Sequence, residues 1–440
     1  MGPYWNPELE TKPWPEVLRW QEGRVVAMLP ALRARSRLYA GKLAGAGDEL
    51  PGLPLTTKDE LRRAQERPAP GAPLGEQQAV ALGDVVQVVS SSGTTGRPVY
   101  YGLTQADLRR WSDAIANSFF TAGIRPEDVV AHLVALPMVA GGLPYADGLR
   151  RIGATLAWLG GFPLERILAS LRGLGASALL STTSFALHLT ERGEDVMGAP
   201  VSSLGVRKLL GGGEPGLGQP EIRERITRGW RTDHVRETMG LGDVLASMWA
   251  ECDEGGGMHF NGQAYVHVGL VDPATLEPVP WVDGAGGEAV YTTFERDATP
   301  VVRFRSSDHM LVTATSCGCG RTSPRVRCVG RTHDMLIYKG MNVFPTALRD
   351  VVLTRFADVV EPHLRIWKDS PAQVTYETAI PVEVEARGEV PAERYGEIAA
   401  RIVDLTRQHL QVRLDVRLVA PGSLPRAVYK TALVQVRDAD

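Results

Sequence analysis

The chain has 440 residues, enough to bury a large core and to divide into two or three domains. It is 44% hydrophobic and 22% charged, with 48 basic and 51 acidic residues for a net charge of −3, the balance of an ordinary globular protein. No basic block points to nucleic acid and no acidic tail to disorder; "MGPYWNPELE" lacks a secretion signal's basic-then-apolar order, and no run of about 18 apolar residues could span a bilayer, so a cytoplasmic location is expected.

Residues 1–65 read as helices, since apolar positions in "PWPEVLRWQEGRVVAMLPALRARSRLYAGKL" recur three or four apart. The Pro/Gly-rich 66–78 reads as a surface connection. "DVVQVVS" is a β-branched strand candidate. "TQADLRRWSDAIANSFFTAG" then reads as a helix with Thr104 as N-cap, Gly123 as stop and Leu108, Trp111, Ile115 and Phe119 on one face. "DVVAHLVAL", "ATLAWL", "SALLS" and "VRKLLG" are further strand candidates separated by helical stretches such as "PLERILASLRGL", which predicts an α/β fold with a largely parallel, helix-covered sheet. From about 257, "GQAYVHVGLV", "GEAVYTTF" and "TPVVRFRSSD" predict a β-rich subdomain. After Gly330, a helix in "FPTALRDVVLTRF", strands in "EPHLRIWKD" and "AIPVEVEAR", an amphipathic helix in "PAERYGEIAARIVDLTRQHL" and a last strand in "LDVRLVA" predict a small α+β domain, residues 331–440, after a large domain of residues 1–330.

The stretch "SSSGTTGRP", following the strand candidate at 85–90, carries the first chemistry. Glycines let backbone approach an anion, and successive N–H groups with short hydroxyl side chains supply donors. It does not have the Walker spacing, and composition alone leaves a plain surface loop equally open.

Set beside the rest of the chain, this stretch closely resembles the phosphate loop of adenylate-forming enzymes, the superfamily of acyl-CoA synthetases, adenylation domains and luciferases. In the same order "GGGEPG" and "MGLGDV" resemble its adenine-site segments, "PVVRFRSSD" the segment ending in its ribose-binding aspartate, "GRTHDMLIYKGMNVFP" its hinge, and "SLPRAVYK" its C-terminal lysine loop. "YWNPELE", "LPLTTKDELR" and "DMLIYKGMNVFP" are most similar to phenylacetate-CoA ligase and its aryl-CoA ligase relatives. The resemblance implies a large adenylate-forming domain with a mobile C-terminal lid. It also implies ATP-dependent activation of an aromatic acid to an acyl-adenylate, then transfer to coenzyme A. A carrier-protein thiol or an amine as acceptor is the alternative, and a homodimer is common in such relatives.

On the same basis Ser91, Ser92, Gly93, Thr94, Thr95 and Gly96 would hold the β- and γ-phosphates, with Arg97 screening the leaving pyrophosphate. Gly212, Gly213, Glu214, Pro215, Met239 and Gly240 would surround adenine. Asp308, expected at a strand end, would take both ribose hydroxyls, and Arg331 would reach ribose or phosphate. Lys430 would bridge the substrate carboxylate and α-phosphate, since a carboxylate approaching a triphosphate needs its repulsion neutralised. His333 or Asp334 would be the pivot, and Lys339 and Gly340 would face the site after rotation. "MGLGDV" departs from the family at Met239, Gly242 and Asp243, where an aromatic, a threonine and a glutamate are usual. Asp243 keeps a carboxylate for Mg²⁺ on a shorter arm. These departures alone suggest a third possibility, a degenerate nucleotide-binding regulator. Met138, Val139, Ala140, Gly141 and Gly211 would form a mostly apolar acyl slot, with "STTSF" (181–185) closing one wall.

The cysteines number four, too few for a disulfide framework in a chain this long. Cys252, His259, Cys317 and Cys319 make a complete tetrahedral zinc set, structural because no position stays open, and some phenylacetate-CoA-ligase-like proteins carry a similar cluster. Four cysteines including Cys328, or reduced thiols without metal, are the alternatives.

Overall fold

The computed structural model describes residues 2–66, 68, 71–91, 98–134, 138–213, 217–218, 220–331, 334, 336–339, 341–370, 373–424 and 433–437. The helical start is α1 (Pro7–Glu10), α2 (Trp14–Arg35), α3 (Arg37–Lys42) and α4 (Lys58–Gln65). Val17, Val25, Leu29 and Leu32 give α2 its buried stripe, and the reciprocal Thr57–Glu60 capping box fixes where α4 begins.

The strand expected at 85–90 forms as β1 (Val85–Ser90), but it does not join the large sheet. It pairs antiparallel with β2 (Tyr100–Thr104) in a two-stranded ribbon, so the hydroxyl-rich stretch connects the arms of a hairpin. Thr104 then caps α5 (Gln105–Thr121) through a capping box with Asp107.

The alternating segment becomes β3 (Val129–His132), α6 (Leu143–Ile152), β4 (Thr155–Trp158), α7 (Leu164–Leu174), β5 (Ala178–Thr182), α8 (Thr183–Met197), β6 (Lys208–Gly212), α9 (Pro220–Trp230) and β7 (Val235–Leu241). These five strands lie parallel in the order β4-β3-β5-β6-β7. From β7 the ladder turns antiparallel through β8 (Leu245–Glu251), β9 (Met258–Phe260), β10 (Val266–Val271), β11 (Pro278–Val279), β12 (Gly286–Thr293), β13 (Phe304–Ala314) and β14 (Arg325–Arg331). The β-rich subdomain expected from 257 is therefore not a separate unit. It is the other half of one twelve-stranded mixed sheet, ordered β11-β10-β12-β13-β14-β9-β8-β7-β6-β5-β3-β4. Strand β8 joins the halves; its seven residues are all buried, so it carries no alternation for sequence reading to detect.

The C-terminal part builds its own sheets. β15 (Leu336–Tyr338), β16 (Met341–Val343), α10 (Pro345–Phe356), β17 (Val360–Lys368), β18 (Thr375–Tyr376), β19 (Ile380–Ala386), α11 (Tyr395–Leu410), β20 (Leu414–Val419) and β21 (Val434–Val436) form a three-stranded sheet, β16-β15-β18, and a four-stranded sheet, β20-β19-β17-β21. The strand at 414–419 is not the last, because β21 follows it and pairs parallel with β17. This part meets the large sheet through an apolar cluster, through Thr346 donating to the Val329 carbonyl, and through an Arg225–Glu361 ion pair at 2.9 Å. Among the described residues no helix is long and apolar enough to cross a membrane.

Candidate active site

A cleft of about 1060 Å³, open solvent included, lies where the carboxyl ends of β5, β6 and β7 meet β13 and β14. Carboxyl ends of parallel strands are where open α/β sheets place ligands, because the loops leaving them diverge. Ser181 and Thr182 end β5, Gly212 ends β6 and Gly213 follows it, and Glu237 to Leu241 come from β7.

Sterics decide the glycines here. A Cβ on Gly212 would stand 2.4 Å from the Thr238 carbonyl oxygen, and one on Gly240 would stand 2.0 Å from the Ala246 carbonyl oxygen. The strands approach too closely at these points for any side chain, and the groove floor stays shallow.

Opposite, Asp308 and Arg331 face each other across the β13–β14 ladder, and Arg331 Nε donates to Asp308 Oδ1 at 3.0 Å. The nearby Asp308 carboxylate is the main cause of the raised Arg331 pKa. Asp308 is not at a strand end as expected: β13 runs on to Ala314, and Ser307 just before Asp308 takes φ 63°. This local kink turns the ladder where the carboxylate enters the cleft.

Asp243 also lines the cleft. Its carboxylate accepts from the Tyr101 hydroxyl and pairs with Lys58 Nζ at 3.3 Å, while Arg296 donates to its carbonyl oxygen at 3.0 Å. The arm expected to hold Mg²⁺ thus pairs here with an ammonium and a phenol. Sequence reading missed Lys58. It opens α4, clamped by the Thr57–Glu60 box and by a Thr56–Phe304 bridge at the start of β13. A lysine at a helix start is commonplace, so only its place in the fold reveals it.

Glu237 is buried in the cleft wall, and desolvation, reinforced by Glu251, pushes its carboxyl up to about 7. The Cys328 thiol lines the same wall and burial raises its pKa, which keeps it neutral. At the other end Val134, Val139, Ala140, Gly141, Tyr145 and Ala246 form a small-residue, mostly apolar lobe, fixed by a 3.0 Å hydrogen bond from the Tyr145 hydroxyl to the Ala246 carbonyl. The loop carrying Val139 and Ala140 is tied to β1 by Ser90 N–H donating to the Met138 carbonyl at 2.7 Å.

The cleft therefore brings together Ser91, Val139, Ala140, Gly141, Gly212, Gly213, Met239, Gly240, Asp243, Asp308 and Arg331. Two expected residues lie off its wall. Met138 is 50% exposed, because its left-handed backbone (φ 62°) puts its carbonyl to work on Ser90 and its side chain in solvent. Gly211 points the other way from Gly212 on the pleat, and a Cβ there would meet Leu217 Cδ1 at 2.3 Å. Ser92, Gly93, Thr94, Thr95, Gly96, Arg97, Glu214, Pro215, His333, Gly340 and Lys430 lie outside the described residues.

Away from the cleft, donor atoms of Cys252, His259, Cys317 and Cys319 all lie within 4.8 Å of one another. Cys252 Sγ is 3.7 Å from Cys317 Sγ, and Cys319 Sγ is 3.4 Å from His259 Nε2. Ligands on one tetrahedral zinc stand about 3.7 Å apart for two thiolates and about 3.5 Å for thiolate and imidazole, so the set fits that ion. His259 Nδ1 meets the Ser323 carbonyl at 2.8 Å, the outer contact that aims Nε2 at the cluster. A hydrogen bond from Cys252 is the main cause that pulls the Cys319 thiol pKa down. Cys328 is not in the cluster.

Comparisons with known proteins agree with this architecture. Residues 340–438 match the family model of the AMP-binding enzyme C-terminal domain. The chain is 30% identical to the phenylacetate-coenzyme A ligase of Thermus thermophilus, covering 96% of this chain and 97% of the relative. It is 29% identical to the phenylacetate-coenzyme A ligase of Escherichia coli, covering 88% and 85%. Among solved structures it resembles 2-hydroxyisobutyryl-CoA ligase in its postadenylation state, at a TM-score of 0.88 and 25% identity over 99% of this chain and 93% of that one. The same relative in its thioesterification state, with the adenylate and coenzyme A bound, scores 0.70 at 26% identity over 99% and 92%.

Proposed function

Because this chain belongs to the phenylacetate-CoA ligase family of adenylate-forming enzymes, and so activates a carboxylic acid as acyl-adenylate before thioester formation with coenzyme A, we propose that its acid is aromatic, an aryl or arylacetic acid. The observation that carries the proposal is the small-residue lobe of Val134, Val139, Ala140, Gly141 and Ala246, continuous with the polar groove and walled by Tyr145. Such a lobe has no charged side chain of its own and suits a flat apolar group. The names of the curated relatives point the same way, while the structural relative's name points to a branched hydroxy acid. Pyrophosphate release across a panel of aromatic, arylacetic and small hydroxy acids, with and without coenzyme A, tests the reading. Turnover confined to the hydroxy acids would overturn it.

Within this reading, Asp308 accepts the ribose hydroxyls, and Arg331, held by Asp308, faces the phosphates. Ser91 opens the phosphate loop formed by Ser92 to Arg97, and Gly212, Gly213, Met239 and Gly240 hold adenine with Glu214 and Pro215. Lys58 adds a cation on the cleft's opposite wall. Lys430 neutralises the meeting of carboxylate and α-phosphate, which is mainly a problem of charge placement. Mg²⁺ accompanies ATP in such reactions, and Asp243 would be the carboxylate to hold it. Residues 331–440 act as the lid, and the better match to the postadenylation arrangement than to the thioesterification one supports a rotation of this part about His333 or Asp334. Zinc at Cys252, His259, Cys317 and Cys319 would be structural, its chemistry limited to tying two loops together. Coenzyme A, rather than a carrier protein, is the acceptor that the relatives favour. A cytoplasmic location fits these substrates.

A further inference from the structure

A second cavity, of about 670 Å³ with open solvent included, lies between α2, the loop at Leu50 and Pro51, and strands β10 to β12. It shares no residue with the cleft. Its wall is largely apolar, with Leu18, Leu50, Val271, Val279, Val290 and Trp281, and two basic side chains enter it: Arg303 and His267.

Arg303 is unusual in three ways. Its backbone sits in the left-handed region at φ 44°, a conformation costly for a side chain this large. That backbone is held from both sides: its N–H donates to Thr292 Oγ1 at 2.9 Å, and its carbonyl accepts from the Thr56 N–H at 2.9 Å. The guanidinium donates to the Pro51 carbonyl at 2.6 Å and to that of Leu53, and among the described residues no carboxylate pairs with it. Its charge is thus partly desolvated and met only by carbonyl dipoles, which is why burial lowers its pKa. Burial and the Arg303 charge also push His267 down to about 4, leaving a neutral imidazole. Glu22 is the one acidic residue lining the cavity.

A half-buried cation without a counter-ion at the end of an apolar cavity is costly on its own and favourable once an anion with an apolar body fills the space. We propose that this cavity is a second ligand site, separate from the cleft, that takes an apolar monocarboxylate with its carboxylate on Arg303 and His267 and its body against Leu18, Val271 and Trp281.

Octanoate is a suitable probe, and Gly269 provides the control. A Cβ on Gly269 would meet only His267 Cε1, at 3.9 Å, so Gly269→Leu adds a side chain in the cavity without touching the cleft. Calorimetric titration of the full chain with octanoate should show a site whose affinity falls at least tenfold in Gly269→Leu, with basal adenylation unchanged. Crystals of the wild-type chain soaked in 8-bromooctanoate should place bromine beside Trp281, a readout that does not depend on the variant folding. No binding at 10-fold millimolar excess, equal affinity in both proteins, or bromine only in the cleft would overturn the proposal.

Discussion

The two halves of the twelve-stranded sheet contribute to the cleft in different ways. The parallel half works from strand ends: Thr182, Gly212 and Leu241 close β5, β6 and β7, and the chain leaves each strand at the cleft. The antiparallel half works from within a ladder, where Asp308 stands opposite Arg331 and β13 continues for six more residues to Ala314. Strand ends give a shallow floor shaped by backbone, which needs glycine; a ladder gives a rigid, charged wall, which needs a paired carboxylate and guanidinium. In the proposed function the first would take a flat ring and the second would fix a polar group.

The comparison predicts where damage is greatest. Replacing Asp308 by Ala removes the acceptor and strands the Arg331 charge, so kcat/KM for ATP should fall by about 10²-fold with little change in the KM for acid, as steady-state kinetics would show. A fall shared equally by both substrates would mean that the ladder is scaffold rather than nucleotide site.

Gly240→Ala forces a methyl against the Ala246 carbonyl and must part β7 from β8. The expected loss is about 2 kcal/mol of stability together with weaker binding of both substrates, measured by denaturant unfolding and kinetics. Unchanged stability would show that the strands can separate freely there.

The cluster of Cys252, His259, Cys317 and Cys319 clips the turn after β8 to the β13–β14 connection. Elemental analysis should find one zinc per chain, falling below about half in Cys319→Ser, with a lower melting temperature on chelation but retained adenylate chemistry in the protein that stays folded. A chain lacking the metal throughout would refute this clip.

The last effect is a pH slope. Glu237 has its carboxyl raised from 4.5 to about 7, so the folded chain binds more protons than the unfolded one between those values. Stability from this group should therefore decline as pH rises through that window, by up to ~3 kcal/mol, and level off above it. In Glu237→Gln the decline should shrink when melting is followed from pH 4.5 to 7.

Much of this was legible in the amino-acid order. Periodicity located α5, α7, α10, β4, β5 and β6 within a residue or two and α11 and β3 with one end less exact, it did not foresee β7, and the Cys/His spacing named a set whose atoms do converge. What escaped had physical reasons. Strand β8 is buried on both faces and has no alternation to read. The pairing of β1 with β2 alone is a tertiary outcome, since a β-branched run suits a ribbon as well as a central strand. Gly211 and Gly212 are identical in sequence, yet the pleat sends one toward Leu217 and the other to the cleft. Lys58 looked like any helix-start lysine until α4 was docked against β13.

The most direct test is a crystal structure of the chain with a non-hydrolysable phenylacetyl-adenylate analogue. It should show both ribose hydroxyls on Asp308 and the phenyl ring between Ala140 and Ala246. A nucleoside bound away from the Asp308–Arg331 pair, or a ring left in solvent with the lobe empty, would contradict the account.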